Sequence, residues 1–217
     1  MSYKGLIFDL DGVIVDTAKY HYLAWKDLAN ELGIDFNEKD NERLKGVSRT
    51  RSFEIILEIG GRTMSDEEKE FYCAKKNDVY VGYINKLTKD EILPGVVEFL
   101  THAREQGYKL ALGSASKNAP LILDKLEITP LFDVLIDGTK VSKPKPDPEV
   151  FTRGADEMGF SYDECIVFED ALAGIEAAHN GGMKAVGIGL PENLPGAEIH
   201  IPGLFAMPIE EIVAKIG

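Results

Sequence analysis

Five short apolar runs punctuate the chain, and each stops at a small or acidic residue. Leu6-Ile7-Phe8 ends at Asp9, Leu110-Ala111-Leu112 at Gly113-Ser114, Val134-Leu135-Ile136 at Asp137, Ile166-Val167-Phe168 at Glu169-Asp170, and Ala185-Val186-Gly187-Ile188 at Gly189. No polar residue alternates within them, which suits strands covered on both faces in a parallel sheet. Between them the spacing predicts helices over about 95–106, 118–126, 148–158 and 171–180, with Pro120 near a helix start and Gly181-Gly182 at a helix end. Strands alternating with helices predict an α/β fold: a Rossmann-like, doubly wound parallel sheet with its ligand site outside the carboxyl ends of the strands. The polar residues that end the runs gather at that edge.

The alternation fails between residues 16 and 87. Trp25, Leu28 and Leu32 fall on one helical face, as do Phe53, Ile56 and Leu57, and Gly60-Gly61 breaks the pattern before a capping-box sequence at Ser65-Asp66-Glu67-Glu68. No strand separates these stretches, so the reading is four helices inserted after the first strand as a small bundle. That divides the chain into a core, residues 1–15 and 88–217, and a helical cap, residues 16–87. Charge divides the same way, with net −2 on residues 16–87 and net −11 on the rest.

Composition narrows the function classes. With 217 residues, 44% apolar and 28% charged, the chain is globular and long enough to bury a sizeable core, which excludes a disordered or fibrous chain. A net charge of −13 disfavours a nucleic-acid surface. Cys73 and Cys165 lack metal-ligand spacing and read as ordinary buried thiols of a reduced compartment. The apolar start of MSYKGLIFDLDG is too short for a signal peptide, and no run approaches a membrane span. A soluble cytoplasmic monomer, with no membrane or nucleic-acid partner, is the expectation.

The candidate chemistry lies where the runs end. Residues two apart on a strand point the same way, so Asp9 and Asp11 can face one site, and Glu169-Asp170 can meet them there. Carboxylates gathered without His or Cys partners favour Mg²⁺, although each pair alone could serve as a helix cap. Gly113-Ser114-Ala115-Ser116-Lys117-Asn118 enters a helix and suits a phosphate, or simple capping by Ser116 or Asn118. Lys143, in Ser-Lys-Pro-Lys-Pro-Asp-Pro, sits on a loop stiffened by three prolines and can neutralise a phosphoryl oxygen or a carboxylate.

Asp9-x-Asp11-Gly12-Val13, a Ser ending the second strand, Lys143-Pro144 and Glu169-Asp170-Ala-x-Ala-Gly174 together resemble the haloacid dehalogenase superfamily. Asp16-Thr17, His21, Trp25, Leu44-Lys-Gly-Val-Ser-Arg49 and Lys76-Asn77-Asp78 resemble its sugar phosphomutases. The resemblance implies Asp9 as nucleophile, forming an aspartyl phosphate, and Asp11 as general acid and base. Mg²⁺ would be held by Asp9, the main-chain carbonyl of Asp11, and Asp170, with Glu169 nearby. Lys143, preceding a cis Lys143–Pro144 bond, would join the N–H groups of Ser114 and Ala115 around the transferring group.

Arg49 would grip the second phosphate together with Ser116, Lys117 and Asn118. Thr17, His21, Trp25, Ser52, Lys76 and the loop residues Lys45, Gly46, Val47 and Ser48 would hold sugar hydroxyls, order the insert or support Asp11. The insert would close as a lid on hinges near 12–17 and 84–92. The implied reaction converts β-glucose 1-phosphate into glucose 6-phosphate through a bisphosphate, with hydrolysis of a sugar phosphate as the alternative. A phosphorylated receiver module fits less well, because its Asp ends a middle strand and it lacks an inserted bundle. A dinucleotide enzyme would need a third glycine after Gly187-Ile-Gly189.

Overall fold

The structure is a computed structural model that describes residues 3–44 and 47–217. It divides into two compact units, one taking the chain up to Asp16 and again from Leu87 to Gly217, the other Thr17–Lys86.

The first unit is built on six strands: β1 (Gly5–Phe8), β2 (Lys109–Gly113), β3 (Val134–Ile136), β4 (Cys165–Glu169), β5 (Lys184–Ile188) and β6 (Ile199–Ile201). All neighbours run parallel, in the order β3-β2-β1-β4-β5-β6. β1 and β4 are buried along their whole length, as expected of unbroken apolar runs covered on both faces. Phe8 stacks on Phe168 with ring centroids 4.6 Å apart, and Phe99 meets both edge-on. Ile7, Ala111 and Val167 join a second cluster with Phe151 and Ile175.

Register matters more to function than packing does. Phe8 pairs with Leu112 on one side and with Phe168 on the other. The residues that follow, Asp9, Gly113-Ser114 and Glu169-Asp170, therefore share one edge. The chain builds outward from β1 through β2 and β3 on one side and through β4, β5 and β6 on the other. The order reverses between β1 and β4, the place where open α/β sheets bind ligands.

Among the described residues, five α-helices belong to this unit: α5 (Val96–Glu105), α6 (Ala119–Lys125), α7 (Glu149–Met158), α8 (Leu172–Asn180) and α9 (Ile209–Ile216). Pro120 occupies the first turn of α6, and Gly181 ends α8. β6 and α9 arise from the tail, where the sequence pattern predicted no element. Ile199-His200-Ile201 is only three residues long, and it lies at the sheet edge, where one neighbour suffices. Burial pushes the Cys165 thiol up to about 12, consistent with an inert buried residue.

The second unit comprises α1 (Ala18–Glu31), α2 (Glu38–Asn41), α3 (Arg49–Ile59) and α4 (Asp66–Ile84). Trp25, Leu28, Phe53, Ile56 and Cys73 share its core. The Ser65–Glu68 capping box opens α4 as the sequence predicts, and a second box at Asn37–Asp40 opens the single turn of α2.

Candidate active site

Asp9 follows β1 directly, and its N–H continues the ladder by donating to the Phe168 carbonyl at 3.0 Å. The strand stops there, so Asp11 is placed by a turn and not by strand alternation: it bridges to Val15, and Gly12 N–H donates to the Val15 carbonyl at 2.8 Å. The turn needs glycine twice over. Gly12 has φ +78°, and a Cβ there would lie 2.0 Å from Asp170 Oδ2.

One oxygen from each of Asp9, Glu169 and Asp170 lies within 4.8 Å of the others. Burial, then the charges of Asp9 and Asp11, push the Asp170 carboxyl up to about 7. Burial and the charge of Asp9 likewise hold Glu169 above the ordinary carboxylate range. Crowded carboxylates with raised proton affinity are a place where a cation is stabilising. An all-oxygen donor set of this kind fits a hard ion such as Mg²⁺.

One cation is already present, and it is not the lysine that the sequence pointed to. Lys145 Nζ donates to Asp9 Oδ1 at 2.6 Å and to Glu169 Oε2 at 2.8 Å. Burial alone would lower its pKa, but the charges of Asp9 and Glu169 outweigh that and leave it raised, so it stays an ammonium. Its Nζ also lies 4.7 Å from the Phe151 ring centroid.

Lys143, expected in this role, is 68% exposed and pairs with Asp147. The cis peptide is Lys145–Pro146, not Lys143–Pro144. The loop is set by Glu149, whose Oε2 accepts from Ser142 N and Lys143 N at 2.8 Å each and from Ser142 Oγ at 3.0 Å. With that end anchored, the first lysine of the repeat faces water and the second turns inward.

The Ser114 N–H does not face the transferring group as the sequence predicts: it donates to the Ile136 carbonyl at 2.9 Å as part of the sheet. What Ser114 offers is its hydroxyl, buried and accepting from Ser116 N at 3.1 Å. Ser116 Oγ in turn accepts from Asn118 N at 3.3 Å, and Gly138 N–H donates to the Ser116 carbonyl. These bonds hold the loop entering α6. Ala115 and Lys117 are exposed on it, Ser116 and Asn118 half-buried, and Asn118 makes no side-chain cap to the helix.

The helical unit assembles its own polar cluster. Thr17, the N-cap of α1, lies one turn before His21, and Lys76 and Tyr80 are one turn apart on α4. Tyr80 OH donates to Thr17 Oγ1 at 3.2 Å, His21 stacks on the Tyr80 ring at 3.9 Å, and Lys76 Nζ lies 2.8 Å from His21 Nδ1. Lys76 is 2% exposed, with its ammonium 4.7 Å from the centroids of both Trp25 and Tyr80. Trp25 also stacks on Phe53 and belongs to the core. Tyr80 was not singled out by sequence, although its one-turn spacing from Lys76 was visible.

Arg49 opens α3 and donates to Asn77 Oδ1 at 2.8 Å. Ser48 caps that helix through Arg51 N, Ser52 is buried, and Val47 is exposed. Lys45 and Gly46 lie outside the described residues. Arg51 pairs with Glu54 and Glu58 at the surface.

Desolvation, then the charges of Lys76 and Arg49, lower the His21 pKa well below 6.5. Because the folded value lies below the unfolded one, stability is unaffected above neutral pH. It falls as pH drops through the unfolded value, since the unfolded chain then binds the extra proton. Between pH 7.5 and 5.5 this residue should cost about 1.4 kcal/mol. Urea midpoints should show a smaller acid loss for His21→Gln than for the wild type. Equal losses in both would contradict a neutral His21.

The model for haloacid dehalogenase-like hydrolases matches residues 6–188. A β-phosphoglucomutase of Bacillus subtilis is 43% identical over 200 residues, 91% of this chain and 88% of that one. A crystal structure of β-phosphoglucomutase from Clostridium difficile superposes with a TM-score of 0.93 at 42% identity, covering 99% of this chain and 97% of that one. A fructose-1-phosphate phosphatase of Escherichia coli is 31% identical, covering 87% and 97%. With a family model running from β1 through β5 and such identity along nearly its whole length, the chain belongs to the haloacid dehalogenase-like hydrolases.

Proposed function

We propose that the chain is a β-phosphoglucomutase, interconverting β-D-glucose 1-phosphate and glucose 6-phosphate. The observation that carries this reading is Asp9 at the sheet's switch point, held by Lys145 at 2.6 Å beside two further carboxylates. Identity of 43% and 42% to two β-phosphoglucomutases supports the choice of substrate.

An Asp9 oxygen attacks phosphorus of the 1,6-bisphosphate, and the bond from phosphorus to the sugar oxygen breaks. Asp11 gives its proton to the departing oxygen. In the opposite half-reaction a hydroxyl of the incoming monophosphate loses its proton to Asp11, attacks the aspartyl phosphate and frees Asp9. Lys145 and the Ser114 hydroxyl face charge on the transferring oxygens.

Bound Mg²⁺, held by Asp9, Asp170 and the Asp11 main-chain carbonyl with Glu169 beside them, supplies further neutralisation of those oxygens. For the phosphate that stays on the sugar, the first unit offers Ser116, Lys117 and Asn118, and the helical unit offers Arg49. His21, Lys76 and Thr17 order the helical insert and sugar hydroxyls. Phosphorylated sugars do not leave cells freely, so the same reading makes the enzyme cytoplasmic.

The test is purified protein with Mg²⁺, β-glucose 1-phosphate and a trace of the 1,6-bisphosphate, following glucose 6-phosphate and free phosphate in one tube. Glucose 6-phosphate should rise far faster. Phosphate rising alone would make the chain a phosphatase, like its Escherichia coli relative. Arg49→Ala should then lower mutase flux by about 10²-fold, the loss of one charge-assisted phosphate contact, while Asp9 still accepts a phosphoryl group from the bisphosphate. Full flux in that variant would remove Arg49 from the second phosphate site.

A further inference from the structure

β4 ends in Glu169, and the chain turns immediately into α8. Glu169 is 1% exposed, and its side chain folds back over the first turn of that helix. Its Oε1 accepts from Ala171 N at 3.2 Å while Oε2 takes the Lys145 ammonium at 2.8 Å. Beneath it, at the third position of α8, is Gly174.

Backbone conformation does not account for this glycine. Gly174 is helical and absent from the positive-φ residues, and its N–H donates to the Ala171 carbonyl at 3.0 Å. Alanine there would favour the helix by about 1 kcal/mol. Space accounts for it instead. A Cβ at Gly174 would lie 2.0 Å from Glu169 Cδ, 2.2 Å from Cγ and 2.3 Å from Oε2. All three distances are far inside van der Waals contact, and the burial of Glu169 leaves its carboxylate little room to retreat.

We propose that Gly174 is a positioning residue for phosphoryl transfer: having no Cβ, it leaves the slot from which the Glu169 carboxylate holds Lys145 against Asp9. The proposal rests on the reading of Asp9 as nucleophile. Filling the slot pushes Glu169 aside by on the order of 1 Å, enough in a preorganised site to cost about 10²-fold in rate. Lys145 then loses one of its two carboxylate partners, and its grip on Asp9 Oδ1 loosens. Lys145 meets the transferring oxygens most strongly as charge builds on them, and the groups assigned to the retained phosphate and the sugar are untouched, so the loss falls on kcat and not on KM.

A double-mutant cycle tests this, using the full-length protein, Gly174→Ala, Glu169→Ala and both together. Glu169→Ala removes the three atoms nearest to the new Cβ, those at 2.0, 2.2 and 2.3 Å. Turnover is scored as glucose 6-phosphate plus free phosphate, so a wild type that only hydrolyses overturns the mutase reading and still leaves the cycle readable. Calorimetric Mg²⁺ affinity is measured alongside.

Gly174→Ala should lower kcat by about 10²-fold with KM within about threefold, and weaken Mg²⁺ binding by about tenfold. In the Glu169→Ala background the same change should cost less than about threefold in either measurement. Glu176→Gly, on the exposed face of α8, weakens the helix without approaching Glu169. It should lower the melting temperature and leave kcat within about twofold. Should Gly174→Ala be unstable, recovery of melting temperature and turnover to the Glu169→Ala values in the double variant decides the same point. Wild-type kcat in Gly174→Ala, or an equal loss with and without Glu169, would overturn the proposal.

Discussion

Replacing Lys145 with methionine is expected to slow turnover by about 10³-fold, whereas the same change at Lys143 should leave it within about twofold. The two lysines sit two residues apart in one Lys-Pro-Lys-Pro run, so composition and loop stiffness treat them alike. Their surroundings do not. Lys143 is 68% exposed, and its ion pair with Asp147 is of the kind worth little. Lys145 is 11% exposed at its side chain and touches two carboxylates.

Methionine keeps the stem over Phe151 but removes the charge, leaving Asp9 and Glu169 facing one another without an ammonium between them. Breaking a buried pair in this way costs about 3 kcal/mol, with the raised proton affinity of Glu169 limiting the damage because it can neutralise itself. Steady-state rates and urea denaturation of both variants decide the matter. A Lys143→Met enzyme that is the slower of the two would return the role to Lys143.

Asp9→Asn is expected to abolish phosphoryl transfer, with residual turnover at least about 10⁴-fold down. The amide has the shape of the carboxylate but is a poor nucleophile, and it cannot form the aspartyl phosphate on which both half-reactions depend. Folding should survive. The change removes one of several crowded negative charges, and Lys145 keeps Glu169 as its partner at 2.8 Å. The measurement is phosphoryl incorporation from the bisphosphate together with glucose 6-phosphate formation, checked against an unchanged melting profile. Incorporation at the wild-type level would mean that another residue carries the phosphoryl group.

Much of this was legible along the chain. Five of the six strands appeared as apolar runs: β1, β2, β4 and β5 are interior strands covered on both faces, where polar alternation is not tolerated, and the edge strand β3 is an unbroken Val-Leu-Ile. β6, the same length and also at an edge, was missed because His200 interrupts its apolar run as Ile-His-Ile. Asp9, Glu169 and Asp170 were visible because a parallel sheet puts the residues after its strands along one edge, so ending a run was itself the signal. The Thr17–His21 and Lys76–Tyr80 pairs each had one-turn spacing. Their convergence depends on how α1 packs on α4, which no local spacing states.

What the sequence by itself determined was the class of fold, the edge where polar groups gather and the kind of chemistry that carboxylates there can do. All three follow from short-range periodicity and the geometry of a parallel strand. The tertiary structure decided which of two equivalent lysines reaches Asp9, 136 residues away in sequence. It also decided that the Ser114 N–H belongs to the sheet, and that a glycine in a helix is there to leave room for Glu169. These are outcomes of competition between distant groups for the same hydrogen bonds and the same volume. A local pattern records what a residue can do, and only packing records which of its options remains open.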